Sequence, residues 1–171
     1  MPCGAIALNK EIIGDFLKAL LEELDIEFRT LGSTTFKNQK MLKGIEPDQC
    51  FYIQNEASIR GKKRLDLTQD PPPDLALEID ITSRTHPETY AALGVPELWQ
   101  RANNRIRIYQ LQNVDGETNA EANYQEVEES QIFPGWPLLK VLPQYIAQSK
   151  VEGRNKAMRS FRQWVRSRMS S

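Results

Sequence analysis

Two acidic positions beside apolar, strand-forming runs are where this 171-residue chain could do chemistry. Asp48 follows Pro47 just ahead of Cys50-Phe51-Tyr52-Ile53, a short β-prone run. Glu78 and Asp80 lie inside Leu75-Ala76-Leu77-Glu78-Ile79-Asp80-Ile81, an otherwise apolar segment set up by Pro71-Pro72-Pro73-Asp74. Side chains alternate along a strand, so Glu78 and Asp80 share a face, about 7 Å apart. Acids on an apolar strand are costly to bury without partners. A hard divalent cation such as Mg²⁺ is such a partner, because it takes one or two carboxylates and completes its shell with water and phosphate oxygens. The plainer alternative has one acid facing solvent and the others capping neighbouring elements.

Other reactive side chains have simpler roles. Asp74 also follows a proline, but it stands four positions before Glu78 on the same strand, whereas Asp48 can supply an adjacent one. His86, the single histidine, precedes Pro87 in a loop. Cys50 reads as a small core residue, Trp99 and Trp136 as packing residues, and Lys62-Lys63-Arg64 as a solvated hairpin tip able to meet phosphates.

The elements that must position these residues can be read from periodicity. Ile13, Phe16, Leu17, Leu20, Leu21 and Leu24 follow helical spacing, with Asn9 as the expected N-cap. Alternation from Ile26 to Thr30 predicts a strand within 25–36. Tyr90 to Leu93 reads as a short helix stopped by Gly94. Strands are expected at Glu97 to Arg101 and Arg105 to Leu111, joined by the turn-forming Asn103-Asn104. Tyr124 to Ile132 follows as an edge strand, and Trp136 to Ile146 and Glu152 to Arg168 as helices. This order predicts an α/β fold, a mixed β-sheet flanked by helices.

With 40% hydrophobic and 26% charged residues, 9 Gly and 10 Pro, the composition excludes disordered and collagen-like classes. No apolar run approaches the roughly 18 residues of a membrane span. Met1-Pro2-Cys3-Gly4-Ala5 has no basic region ahead of an apolar stretch, so no secretory signal is expected. Two widely separated cysteines make neither a metal pair nor a disulfide framework. A cytoplasmic protein is the expectation.

The net charge of −1 conceals an asymmetry. Residues 150–171 carry seven basic residues and one acid, a net +6, which leaves −7 on the rest. Met158, Phe161, Val165 and Met169 fall at helical spacing there, among Arg159, Arg162, Arg166 and Arg168. Such a helix can contact phosphate backbones, meet an anionic surface, or dock on the protein's own acidic body. The expected organisation is a domain over 1–150 and a basic amphipathic helix over 151–171, packed on it.

Four segments resemble a family of restriction-endonuclease proteins, abundant in cyanobacteria, within the PD-(D/E)xK nuclease superfamily. They are Leu31-Gly32-Ser33-Thr34-Thr35, the run from Glu46 to Glu56 (EPDQCFYIQNE), the run from Pro71 to Ser83 (PPPDLALEIDITS), and Tyr90 to Trp99 (YAALGVPELW). They keep the family's order over Leu31 to about Leu111. The resemblance implies a restriction endonuclease-like fold and a Mg²⁺-dependent endonuclease acting on DNA, with Mn²⁺ as a substitute. It implies Asp48 and Glu78 as metal ligands. Asp80 stands where the superfamily has lysine, and Arg84 is the nearest cation, with His86 second. Arginine cannot serve as a base, but it can neutralise charge on phosphorus. An acid from the first helix is also implied, and Glu11 is the choice, with Glu22 and Glu23 as alternatives. A homodimer is expected by analogy with superfamily members that cut both strands. The alternative is a degenerate nuclease fold that binds DNA or a protein partner without turnover.

Overall fold

The computed structural model describes residues 4–32, 46–79, 87–112 and 123–171, with side chains from Glu11 onward in the first helix. The chain divides into two compact units, Phe28–Pro134 and the paired segments Met1–Glu27 and Gly135–Ser171.

The first unit is built on a six-stranded sheet of β1 (Arg29–Gly32), β2 (Gln49–Tyr52), β3 (Leu75–Ile79), β4 (Glu97–Ala102), β5 (Arg105–Gln112) and β6 (Asn123–Val127). The strands lie side by side in chain order. Only β3 and β4 run parallel, so the sheet is mixed. A parallel pair needs a crossover, and α3 (Pro87–Leu93) lies within it. A single helical turn, α2 (Glu56–Ile59), follows β2. All five residues of β3 are buried, as expected for a mostly apolar central strand.

Local signals act as the sequence predicts at two joints. Asn103 and Asn104 adopt φ of 50° and 62°, the left-handed pair that closes a two-residue hairpin between β4 and β5. Gly94 takes φ +76°. Its N–H donates to Ala91 O, and that of Val95 donates to Tyr90 O, a Schellman end for α3.

On one face of the sheet Cys50, Ala76 and Leu98 pack with Tyr90, Leu93 and Val95 of the α3 segment. On the other, Trp99 is fully buried and meets Phe133 edge-on at 6.4 Å. The predicted edge strand 124–132 stops at Val127. Beyond it Ser130 is buried: its hydroxyl donates to Glu97 at 2.6 Å and accepts the amides of Ile132 and Phe133, which closes a turn.

The second unit holds α1 (Gly4–Glu23), α4 (Leu138–Glu152) and α5 (Arg154–Met169). The first helix starts well before the predicted cap, so Asn9 lies inside it and Glu11 near its middle; Ala5, Ala7 and Leu8 are good helix formers that extend it. It ends on Asp25 at φ 55°, with Ile26 N–H donating to Leu21 O and Asp25 N–H to Glu22 O. This cap takes Asp25 and Ile26 out of the predicted strand, which begins only at Arg29. Phe161 and Val165 of α5 are fully buried, with the Phe161 ring 4.9 Å from Phe16 of α1. Around that contact Arg154 pairs with Asp15 at 2.6 Å, Arg162 with Glu22 and Glu23, and Arg166 with Glu23 at 2.7 Å.

Candidate active site

The antiparallel register of β2 and β3 pairs Gln49 with Leu77. One step further along the same register, Asp48 comes alongside Glu78. The contact between the two segments is direct, because the Ile79 amide donates to Asp48 Oδ2 at 2.7 Å. Cross-strand neighbours stand about 5 Å apart at Cβ, so two carboxylates drawn from positions 30 apart in sequence share one corner of the sheet.

The two acids differ in environment. Asp48 is half-buried at the start of β2, whereas Glu78 is buried at 7% exposure near the end of β3. The Tyr90 hydroxyl of α3, itself 1% exposed, donates to Glu78 Oε1. Burial of a carboxylate is tolerated when such donors meet it. Two hard oxygen donors on adjacent strands suit Mg²⁺ or Mn²⁺, which need no all-protein cage. Among the described residues there is no group of three His, Cys, Asp or Glu arranged for a metal.

The remaining predicted site residues distribute as follows. Asp80, Arg84 and His86 lie outside the described residues. Glu11 is exposed on α1, in the helical unit. Asp74 is 2% exposed and takes the amides of Ile53 (2.6 Å) and Asn55 (3.1 Å) and the side-chain amide of Asn55 (2.9 Å). That fixes the turn after β2 and makes it a structural acid. Lys62 forms an ion pair with Asp70. Burial raises the Cys50 thiol to about 12, and its Sγ donates to Leu31 O, so it is an inert core group.

Two residues that matter here carry no signal in the sequence. Tyr90 reads as part of a short helix, and nothing local ties it to an acid twelve positions earlier. Arg101 is 6% exposed; its Nη2 donates to Asn104, its Nη1 has no hydrogen-bond partner among the described residues, and burial lowers its pKa. It pairs with Ile79 in the parallel register, the neighbour of Glu78. Alternation therefore puts it on the opposite face from Glu78, where it cannot stand in for the motif lysine.

The mixed sheet and its corner of two acids define a restriction endonuclease-like α/β protein. The sequence profile described as "Uma2: Putative restriction endonuclease" matches residues 4–142, and the chain belongs to that family. Comparison with curated proteins gave no match. No described helix is long and apolar enough to cross a membrane.

Proposed function

We propose that this protein is a Mg²⁺-dependent endonuclease that hydrolyses DNA phosphodiester bonds, with Asp48 and Glu78 holding the cation. The observation that carries this reading is the hydrogen bond from the Ile79 amide to Asp48 Oδ2, which brings Asp48 to the residue next to Glu78 in a chain of a restriction endonuclease family. A cation bound there supplies Lewis-acid and water-activating chemistry.

The chain's own residues supply the positioning. The Ile79 amide orients Asp48 and the Tyr90 phenol orients Glu78, both neutral donors that leave the negative charge on the carboxylates. Burial of Glu78 lowers the local dielectric, which strengthens its attraction for a cation. Asp80 and Arg84 keep the roles that the family resemblance implies: a further acid and a fixed cation for the phosphate. Cleavage of both strands would require two such sites, hence a homodimer, which sedimentation velocity tests.

The functional test is nicking of supercoiled plasmid with Mg²⁺ or Mn²⁺. Wild type should nick, and Asp48→Ala with Glu78→Ala should fall to background; equal activity in both would defeat the reading. Asp80, where the superfamily carries lysine, favours a second reading: binding without turnover. Saturable DNA binding by a wild-type protein that neither nicks nor takes up Mn²⁺ would select it.

A further inference from the structure

We infer that Tyr90 is a positioning residue for the cation site: its phenol holds the Glu78 carboxylate in the orientation from which that carboxylate binds a divalent cation. The inference rests on the reading of Asp48 and Glu78 as cation ligands.

The geometry is specific in three respects. First, the hydroxyl donates to one named oxygen, Glu78 Oε1, so it restricts rotation of the carboxylate about its terminal bond. Second, the phenol cannot follow the carboxylate if that group moves. Its ring is 1% exposed and packs in one cluster with Cys50, Ala76, Leu93, Val95 and Leu98, and α3 is closed just beyond it by the Gly94 turn. Third, the donor is a neutral O–H. A lysine or arginine in its place would orient the acid and also cancel the charge that a cation needs; the phenol orients without cancelling. Hydrogen bonds that hold metal-ligating side chains from behind govern affinity as well as geometry, and their loss typically weakens binding 10–100-fold.

A purely structural role, in which the phenol only satisfies a buried acid, makes a different prediction. It would change thermal stability and leave cation affinity alone.

The test uses the full-length protein and Mn²⁺ alone, titrated by calorimetry and by the electron paramagnetic resonance signal of free Mn²⁺. Wild type, Asp48→Ala and Tyr90→Phe are compared, with melting curves and near-ultraviolet circular dichroism as checks of the fold. Tyr90→Phe should keep the folded spectrum and weaken Mn²⁺ binding by about 10–100-fold. If wild type binds, Asp48→Ala does not, and Tyr90→Phe binds within about twofold of wild type, the inference is overturned while the Asp48–Glu78 reading stands. A lowered melting temperature with that unchanged affinity overturns it equally. If wild type shows no saturable binding, the reading and the inference fail together.

Should Tyr90→Phe not fold, the wild-type protein decides. The chain has five tyrosines, so ¹³Cζ-labelled tyrosine gives five resonances, and replacing the other four in turn assigns Tyr90. Mg²⁺ at saturation should shift that resonance. A Tyr90 signal unmoved by saturating Mg²⁺ overturns the inference.

Discussion

The dipeptide Pro-Asp occurs at 47–48 and again at 73–74, each time just ahead of a strand. Because β2 and β3 run antiparallel, the two copies reach opposite ends of the sheet. At one end Asp74 is enclosed by three N–H donors from the Ile53–Asn55 turn. Beside it, at the start of β4, Glu97 is 1% exposed and takes the Trp99 indole, the Ser130 hydroxyl and the Gln131 amide. Both acids tie a loop to the sheet. At the other end Asp48 and Glu78 come from different strands and gather at one corner, held by an amide and a phenol. That corner lies at the carboxyl end of β3, the end of a parallel pair at which open α/β sheets bind ligands. Identical dipeptides thus acquire different surroundings from the side of the sheet on which they land, and only the first of them belongs to the proposed cation site.

This contrast can be broken by stability measurements. Asp74→Ala would strand the three donors that the carboxylate accepts, and should lower stability by about 3–5 kcal/mol in urea denaturation. Asp48→Asn keeps an acceptor for the Ile79 amide and relieves the crowding of two carboxylates. Its stability should stay within about 1 kcal/mol of wild type or rise slightly, while Mn²⁺ binding is lost. If Asp48→Asn proved as destabilising as Asp74→Ala, the division between the two ends would fail.

A third set of acids, on α1, sharpens the scale from below. Hydrogen bonds from Arg166, then Arg162, hold the Glu23 carboxyl below its ordinary value of 4.5. A depressed acid adds stability that is present above its unfolded pKa and is lost as the pH falls through the lower, folded one. The stability difference between wild type and Glu23→Gln should therefore be constant above about pH 5 and shrink below pH 4.5. Urea midpoints at pH 6 and pH 3 measure it; a difference that grows on acidification would contradict the pairing.

The smallest effect is expected from the basic helix. With Arg162 and Arg166 turned onto Glu22 and Glu23, replacing both with glutamine should leave the salt dependence of DNA binding nearly unchanged. Were each a phosphate contact, the log–log slope would fall by about 0.9 per residue. A drop near 2 would show that these arginines leave their partners for DNA.

The sequence by itself determined whatever depends on neighbours a few positions away. Asn103-Asn104 specifies its hairpin because both residues tolerate positive φ, and Gly94 ends α3 for the same reason. The nearly continuous apolar run Leu75–Ile79 is enough to mark Glu78 as an acid on a buried strand. Helix boundaries were less legible, since Ala5 to Leu8 extend α1 through propensity and the Asp25 cap competes with strand alternation for the same residues. The choice of Asp48 over Asp74 was legible from their placement relative to Glu78, but the tertiary structure decided that Tyr90 meets that acid and that Arg162 and Arg166 find acids on α1. These pairings join positions 12 to 143 apart. They follow from strand register and from packing of Phe161 against Phe16, which act through burial summed over whole elements, and no local pattern encodes such sums.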